Sequence, residues 1–281
     1  MSPVVAVIAP GMMGSAVGRR LVEHGVTVTT VLDGRSEETA ARARACGMQP
    51  VSDAEAVTAD IVMSIVPPAA AIPLAEKLLP RLQANRQKPI YVDCNAVNPK
   101  TVVEIASIVT ATGCPFVDAG IIGGPPKAGY DGPVFYASGE AAGRFAALDQ
   151  YGLKVRVLDG PVGAASAVKM SYAGITKGFT ALAAAMMLAA AREGTAETLH
   201  RELAESQPAL LGWLTRQMPA MYSKAYRWVA EMEEIADFVA DDPAARQAYL
   251  AYAKFYERIA ADYDGGKREV DALQEFLKKG Q

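Results

Sequence analysis

Short apolar runs alternate with amphipathic stretches over the first 160 or so residues of the chain. The apolar runs contain few polar residues, as is typical of parallel strands buried on both faces; they span residues 4–8, 26–32, 61–66, 90–92, 115–118 and 134–138. Helical spacing of apolar residues predicts helices between them, at residues 16–24, 37–46, 71–82 and 101–112. This alternation predicts an α/β domain with a doubly wound parallel sheet.

The pattern changes around Gly160 and Pro161, where strand signals end and alanine-, leucine- and glutamate-rich helical segments begin. We therefore predict two domains, an α/β domain at residues 1–160 and an all-α domain at residues 161–281. The most apolar later run, residues 179–191, is too short to cross a bilayer and is predicted to be a buried helix. No membrane association is expected.

The composition limits the kinds of partner that the protein is expected to bind. The 281 residues carry a formal net charge of −3, which gives no overall attraction to nucleic acid or to an anionic membrane. Three cysteines without metal-like spacing fit a reducing compartment and predict a cytoplasmic protein. The two histidines have no metal-ligand spacing either, so we expect no metal site.

A glycine turn follows the first strand and opens a helix. Residues 8–14 read I-A-P-G-M-M-G, in which Gly11 and Gly14 fit the last two glycines of a G-x-G-x-x-G turn and Ala9 holds the first position. Such a turn directs free N–H groups at a pyrophosphate. Gly11, Met12, Met13 and Gly14 are therefore predicted to bind a dinucleotide, which makes the domain Rossmann-type.

The end of the second strand selects between cofactors. Arg35 and Ser36 would receive the 2′-phosphate of NADP, because a guanidinium binds phosphate through two donors. The neighbouring Asp33 would instead bind a ribose hydroxyl and favour NAD. The alternative is that Arg35 is a solvated charge and Ser36 only a helix N-cap. We predict NADP, with NAD possible.

Several motifs together resemble the β-hydroxyacid dehydrogenase superfamily, which includes 6-phosphogluconate and 3-hydroxyisobutyrate dehydrogenases. The stretches that carry the resemblance lie at residues 8–14, 60–67, 93–99, 118–124 and, most specifically, 169–178, which reads K-M-S-Y-A-G-I-T-K-G. Residues 227–235 look like a 6-phosphogluconate dehydrogenase-like branch with a short C-terminal domain of unknown function.

The resemblance implies roles for individual residues. Lys169 would be the catalytic acid/base, and Val66 and Pro67 would lie beside the cofactor. The substrate-binding positions would be Asn95, Ile122, Gly123, Gly124, Ala173 and Lys177. Three of them depart from the family pattern, since Asn95 and Ile122 replace serines and Ala173 replaces an asparagine. The departures favour the same redox chemistry on a different, more apolar substrate than 6-phosphogluconate.

The resulting hypothesis is an NAD(P)-dependent oxidoreductase that transfers hydride between the cofactor and a small hydroxy compound, such as a β-hydroxy acid. It would be a homodimer through the C-terminal helices, as the resemblance implies and the apolar run at 179–191 supports. An imine reductase and an inactive cofactor-binding regulator remain alternatives. Two roles stay open from the residues alone: Asn95 binds substrate or forms a turn, and Lys177 acts in the site or is a solvated charge.

Overall fold

The computed structural model describes residues 2–278. The chain divides into two compact units, Met1–Met170 and Ser171–Gln281. This division lies ten residues beyond the predicted boundary at residue 160. The reason is that the helix that begins at Ala164 packs its first turns against the sheet: the carbonyl oxygen of Ala165 approaches Gly120 so closely that a Cβ there would lie 2.8 Å away.

The first unit contains one eight-stranded sheet in the order β3-β2-β1-β4-β5-β6-β7-β8. Its strands are β1 Val4–Ile8, β2 Thr27–Val31, β3 Gln49–Val51, β4 Ile61–Ser64, β5 Ile90–Asp93, β6 Phe116–Ile122, β7 Val134–Ser138 and β8 Lys154–Val157. All neighbours are parallel except β6 and β7, which pair antiparallel. The α/β doubly wound fold is confirmed, and two edge strands and one antiparallel pair are added to the prediction.

Helices cover both faces of this sheet. They are α1 Met12–Glu23, α2 Glu37–Ala45, α3 Asp53–Ala56, α4 Ala71–Ala84, α5 Pro99–Thr110 and α6 Ala142–Ala146. Side chains alternate across the central strand, so Val5 and Val7 pack into one core layer and Ala6 and Ile8 into the other. Burial on both sides explains why this strand reads as a continuous apolar run.

The second unit is helical. Helix α7, Ala164–Arg192, starts in the first unit and continues into the second. The remaining helices are α8 Ala196–Ser206, α9 Pro208–Gln217, α10 Pro219–Tyr222, α11 Ala225–Phe238, α12 Pro243–Asp264 and α13 Arg268–Lys278. Gly174 and Gly178 let Tyr249 of α12 approach α7, since a Cβ on Gly174 would lie 3.0 Å from the tyrosine oxygen.

Helix α7 corrects two predictions about residues 179–191. The run is only the second half of a 29-residue helix, which by length and composition alone is long enough to cross a membrane; core helices of soluble proteins pass the same test. The helix is also not buried all round, because 44% of its most apolar window is buried and Leu182 and Met186 are about half exposed. Only one face of this helix belongs to the core of the chain.

Candidate active site

The carboxyl ends of the parallel strands β1, β2, β4 and β5 bring the predicted cofactor- and substrate-binding residues to one end of the sheet, the sheet edge. The chain winds outward in one direction from β1 to β3 and in the other from β4 to β6, so the order reverses between β1 and β4. Ligands of open α/β sheets bind in the crevice at such a reversal. The glycine turn follows β1, Val66 and Pro67 follow β4, and Asn95 follows β5.

The turn after β1 is tight and leads directly into helix α1. Ala9 has a left-handed backbone with φ of 67°, and its carbonyl accepts the N–H of Gly11 at 2.8 Å. The buried hydroxyl of Ser15 donates to the Pro10 carbonyl at 2.6 Å and holds the turn against the helix. The first N–H groups of α1 have no partner within the helix, and its first turn carries no acidic residue. This helix terminus suits an anion.

Two glycines of the turn have different reasons to be glycine. A Cβ on Gly14 would lie 2.4 Å from the carbonyl oxygen of Ala9, so the turn itself requires glycine there. Gly11 has an ordinary φ of −67°, and a Cβ there would meet nothing within 4 Å. The fold alone therefore does not demand glycine at residue 11, and the open space beside the helix N-terminus fits a pyrophosphate.

Arg35 and Ser36 lie in an exposed turn after β2. Ser36 is the N-cap of α2, because its side chain accepts the N–H of Thr39. Arg35 makes no side-chain hydrogen bond or ion pair to any residue of the described range 2–278. Binding of a 2′-phosphate by both residues stays a prediction.

Arg42 is a cation near the glycine turn that the sequence did not reveal. Its guanidinium reaches from α2 to the Met12 sulfur at 3.4 Å and pairs with Glu38 at 3.5 Å. Its Nε is buried and lacks a hydrogen-bond partner in the described chain. In the sequence, an arginine in the last turn of a helix is expected to interact with the helix dipole. Only the fold shows that Arg42 contacts Met12, the first residue of α1.

Asn95 braces the edge of the sheet. Its Oδ1 accepts the N–H of Val66 at 2.7 Å, and its Nδ2 donates to Ser64 Oγ at 2.9 Å and to Asp93 Oδ2 at 2.7 Å. The side chain is 4% exposed, and both amide hydrogens are used. The geometry therefore favours a bracing role over the predicted contact with substrate, and it fixes the backbone of Val66 just before Pro67.

Asp118 joins three segments of the first unit. Its Oδ2 accepts the N–H groups of Gly163 and Ser166 at 2.9 and 3.0 Å and the hydroxyl of Ser138 at 3.1 Å. Its Oδ1 accepts the Ser166 hydroxyl at 2.7 Å. A carboxylate with four donors ties the start of α7 to β6 and β7, and a negative charge is favourable at a helix N-terminus. The sequence contained Asp118 in a motif but gave it no role.

Lys169 lies one turn after Ser166 on α7. Its ammonium donates to the Ile121 carbonyl near the end of β6 at 2.7 Å, so its amine is held at the same sheet edge as the cofactor residues. A Cβ on Gly120 would lie 3.0 Å from the Lys169 Cβ, which shows how closely helix and strand pack. Ile122 follows, half-buried, and Gly123 and Gly124 begin an exposed loop.

This loop between β6 and β7 is anchored by one arginine. Arg20 of α1 donates to the carbonyls of Lys127 at 3.2 Å, Tyr130 at 3.0 Å and Gly152 at 3.2 Å. Two of these bonds hold the loop at Lys127 and Tyr130, although it forms no strand or helix between β6 and β7, and the third holds Gly152 just before β8.

Lys177 lies in the second unit, eight residues and about 12 Å further along α7 than Lys169. Its ammonium pairs with the Glu231 carboxylate and lies 5.2 Å from the ring centre of Trp228. Both charged side chains are mostly buried, so the interpretation as a solvated charge is wrong. The ion pair also weakens the case for Lys177 as a receptor for a substrate anion. Ala173 is buried at 2% exposure.

Two buried carboxyls lie behind the sheet edge. Burial raises the pKa of Asp93 to about 7, opposed by hydrogen bonds from Asn95 and reinforced by the nearby Asp118. Burial also raises the pKa of Asp118, against the hydrogen bonds from Ser166, Gly163 and Ser138. Within the described residues, no three His, Cys, Asp or Glu side chains are grouped to hold a metal ion.

Each unit matches a known protein family over part of its length. Residues 4–150 match the NAD binding domain of 6-phosphogluconate dehydrogenase, and residues 190–259 match a domain of unknown function, DUF1932. A similar curated protein is the uncharacterized 28.5 kDa protein in the 7S RNA 5′ region of Methanothermus fervidus. It is 30% identical over 184 residues, which are 65% of this chain and 69% of that protein.

Solved structures share the fold. A conserved protein of unknown function with structural similarity to 3-hydroxyacid dehydrogenases is 29% identical, with a TM-score of 0.71 over 92% of this chain and 99% of that one. The Mycobacterium tuberculosis 3-hydroxyisobutyrate dehydrogenase with L-serine is 20% identical, with a TM-score of 0.73 over 98% and 99%. The Myxococcus stipitatus imine reductase with NADP+ is 19% identical, with a TM-score of 0.57 over 98% and 100%.

Proposed function

Because the chain belongs to the β-hydroxyacid dehydrogenase superfamily, in a 6-phosphogluconate dehydrogenase-like branch with a DUF1932 domain, we propose that it is an NADP-dependent oxidoreductase acting on a small hydroxy compound. The observation that carries the proposal is the Lys169 amine, held on the Ile121 carbonyl at the sheet edge that also bears the glycine turn. A proton-transfer group and a dinucleotide cradle then belong to one unit of the chain.

The residues of this edge fit a nicotinamide dinucleotide. The N-terminus of α1 and the open space at Gly11 would hold its pyrophosphate, and Arg35 and Ser36 would receive a 2′-phosphate. Arg42, whose buried Nε lacks a partner in the described chain, adds positive charge beside Met12. The bound cofactor would supply or accept hydride; every other function in the site falls to the backbone and side chains of the protein.

Lys169 would move the proton. During oxidation its neutral amine takes the hydroxyl proton of the substrate while the carbon-bound hydrogen leaves as hydride, and the C–O bond becomes a carbonyl. During reduction the ammonium returns that proton to the oxygen. A positioned acid/base group contributes typically about 10²–10⁴-fold to rate.

The substrate we propose is a small β-hydroxy acid or a related compound with an apolar substituent. Ile122 gives the end of β6 an apolar side chain where the family has serine, and the Asn95 amide hydrogens are used by Ser64 and Asp93. Both features remove polar contacts from the predicted substrate positions. A polar substrate group at these positions would lack a hydrogen-bond partner, whereas an apolar group needs none.

An imine reductase is the second candidate. The fold shared with the Myxococcus enzyme favours this candidate. Lys169 favours a hydroxy compound instead, because the family resemblance implies that a lysine at this position moves the proton of the substrate hydroxyl. The third candidate, an inactive cofactor-binding regulator, predicts binding without turnover.

One assay separates these candidates. The purified protein is incubated with NADP and 3-hydroxyisobutyrate, or with NADPH and the cyclic imine 2-methyl-1-pyrroline, and the absorbance of the reduced nicotinamide is followed. We expect turnover with the hydroxy acid that requires Lys169. Turnover of the imine alone would favour the reductase, and calorimetric binding of NADPH without any turnover across a panel of hydroxy acids and amino alcohols would favour the regulator.

We also propose a homodimer formed through α7. Its outward side carries Tyr172, Ile175, Leu182 and Met186, of which Ile175 is 71% and Met186 58% exposed. Steps of three, seven and four residues place them in one stripe, with the spacing of helix-to-helix seams. Covering this stripe with the same stripe of a second copy would remove the largest exposed apolar side chains of the helix from water.

The cytoplasm is the compartment we propose. Cys46, Cys94 and Cys114 are all free and buried, which suits a reducing environment.

A further inference from the structure

We propose that Asp118 is the positioning residue for Lys169: its carboxylate fixes the first turn of α7 on the sheet, and this fixes where the lysine amine lies. The inference rests on the proposed function, in which Lys169 transfers the proton, and it adds a residue to which neither the motifs nor the family resemblance gave a role.

The first step is the anchor. Asp118 is 1% exposed and accepts four hydrogen bonds, from the Gly163 N–H, the Ser166 N–H and hydroxyl, and the Ser138 hydroxyl. The Ser138 hydroxyl oxygen also accepts a hydrogen bond from the N–H of Ala165 at 3.1 Å. The start of α7 is therefore bound through one buried carboxylate to β6 and, through Ser138, to β7.

The second step is transmission to the lysine. Lys169 follows Ser166 by three residues, so the two lie on neighbouring turns of the same helix face. Gly120 lies two residues after Asp118 on β6, on the same face of the strand, and lets the backbone of α7 approach: a Cβ there would lie 2.8 Å from the Ala165 oxygen and 3.0 Å from the Lys169 Cβ. The amine then reaches the Ile121 carbonyl at 2.7 Å.

The third step is the charge of the anchor. Hydrogen bonds to a carboxylate are shorter and about twice as strong as neutral ones. Asparagine at residue 118 would keep the volume and one acceptor oxygen, but it would lose the charge that draws three donors to Oδ2. Asp118→Asn should loosen the first turn of α7 without creating a cavity.

The test compares Asp118→Asn with Asp149→Asn. Asp149 accepts the Val155 N–H at 2.6 Å at β8, the far edge of the same sheet, so its loss perturbs the unit away from α7. The first measurement needs no substrate: trace acetylation of lysines by acetic anhydride, with Lys169 quantified against the exposed Lys254 by mass spectrometry. Thermal melts show that each variant is folded at the labelling temperature.

We expect the ratio of Lys169 to Lys254 labelling to rise about tenfold in Asp118→Asn, roughly the factor that a hydrogen bond to a charged group represents. Asp149→Asn should leave the ratio unchanged. If Asp118→Asn does not fold, Ser166→Ala removes one donor to the carboxylate and should raise the ratio to a smaller extent. A ratio that equals that of the Asp149 variant would overturn the proposal.

The second measurement is a double-mutant cycle on NADP-dependent oxidation of 3-hydroxyisobutyrate. Asp118→Asn should lower kcat by about 10²-fold, the effect of a small misplacement of a catalytic group, with KM and NADP affinity nearly unchanged. In a Lys169→Met background the same change should lower kcat by less than about twofold. Equal losses in both backgrounds would overturn the positioning role.

The two failures are distinguishable. If Lys169→Met turns over the hydroxy acid as fast as the parent, the proposed function fails while the labelling ratio still decides whether Asp118 fixes the lysine. If Lys169→Met is inactive and the labelling ratio does not change in Asp118→Asn, the proposed function stands and the positioning role fails.

Discussion

Asp93 and Asp118 are directly paired in register on the neighbouring parallel strands β5 and β6, and each is 1% exposed. Asp118 accepts four hydrogen bonds, which favour its ionised form. Two buried like charges on adjacent strands repel each other, so the shared environment favours a proton on Asp93, whose pKa burial raises to about 7.

This pair predicts that the free energy of unfolding falls as pH rises from acidic to neutral values. The pKa of Asp93 is raised in the folded chain, from 3.8 to about 7, so the folded state binds more protons between these values. The contribution of Asp93 to the free energy of unfolding is therefore complete below its pKa in the unfolded chain, and it is lost as pH rises through 7. We expect the Tm of the parent to fall by a few degrees relative to that of Asp93→Asn between about pH 5 and pH 8.

Melts of both proteins across this range measure the effect. Asp93→Asn has a constant offset from its altered bonds to Asn95, so the slope of the Tm difference carries the result. Asp131→Asn, an exposed carboxyl of the β6–β7 loop, serves as the control. A Tm difference independent of pH would contradict the prediction.

The left-handed backbone of Ala9 predicts that glycine is tolerated at this position of the turn. It adopts φ of 67°, which costs an L-residue about 1–2 kcal/mol and costs glycine almost nothing. Glycine relieves this strain, but it has the larger entropy in the unfolded chain and lacks the buried methyl group of Ala9, so Ala9→Gly should change the free energy of unfolding by less than about 1 kcal/mol. Ala16→Gly, inside α1, should destabilise it by about 1 kcal/mol. Denaturant unfolding of the three proteins measures both effects, and an Ala9→Gly protein destabilised as much as Ala16→Gly would show that this strain is absent.

Arg35 should determine the preference for NADP. Loss of a charge-assisted bond to the 2′-phosphate costs roughly 1.5–3 kcal/mol, so Arg35→Ala should weaken NADP binding by about tenfold or more and leave NAD binding unchanged. Isothermal calorimetry with both cofactors measures this. Arg44→Ala, an exposed arginine of the same helix region, should change neither affinity. Equal affinity of the parent for both cofactors would disprove the preference.

Lys169→Met should abolish most turnover. The substitution keeps the length of the stem and removes the amine, so kcat should fall by about 10²–10⁴-fold while NADP affinity stays nearly constant. Lys254→Met, on the exposed side of α12, is the matched control. Lys177→Met is a poor one, because it removes the ammonium from the mostly buried Glu231 carboxylate and lowers stability. Near-normal turnover by a folded Lys169→Met protein would refute the assignment.

The stripe on α7 should hold two copies together. Ile175→Glu introduces two charges into the proposed seam and should convert a dimer to a monomer at micromolar concentration, as measured by light scattering. Val103→Glu alters a similarly exposed apolar side chain on α5 and should leave the dimer intact. A parent protein that scatters as a monomer would refute the dimer.

The sequence predicted the strands whose residues form apolar runs. β1 and β7 have the predicted bounds, because their apolar runs are continuous. β3 and β8 were missed, since these edge strands are short and mostly exposed and read Q-P-V and K-V-R-V. The antiparallel β6–β7 pair had a signal that went unused: the turn-forming residues between them leave no room for the crossover helix that a parallel pair requires.

The motifs located the site, but they did not determine how its side chains are bonded. The glycine turn, Lys169 and the strand ends are local features that the sequence shows directly. The strand order then brings them to the same edge of the sheet. The partners of Asn95 and Lys177 lie up to 31 and 54 residues away, and no spacing rule joins them. Asp118 was visible in a motif, yet its hydrogen bonds to Gly163 and Ser166 exist only after folding.

Among the residues that the structure describes, Arg20, which holds the β6–β7 loop, donates hydrogen bonds to main-chain oxygens only. Arg20 therefore recognises no side chain at Lys127 or Tyr130 through these bonds, and the loop is free to change sequence without losing its base. Gly123 and Gly132 are exceptions, because a Cβ on either would lie about 2.5 Å or less from the Tyr130 oxygen. Gly129 has a positive φ of 70°, so residues 124–128 form the segment whose side chains can change while the backbone that Arg20 binds stays in place.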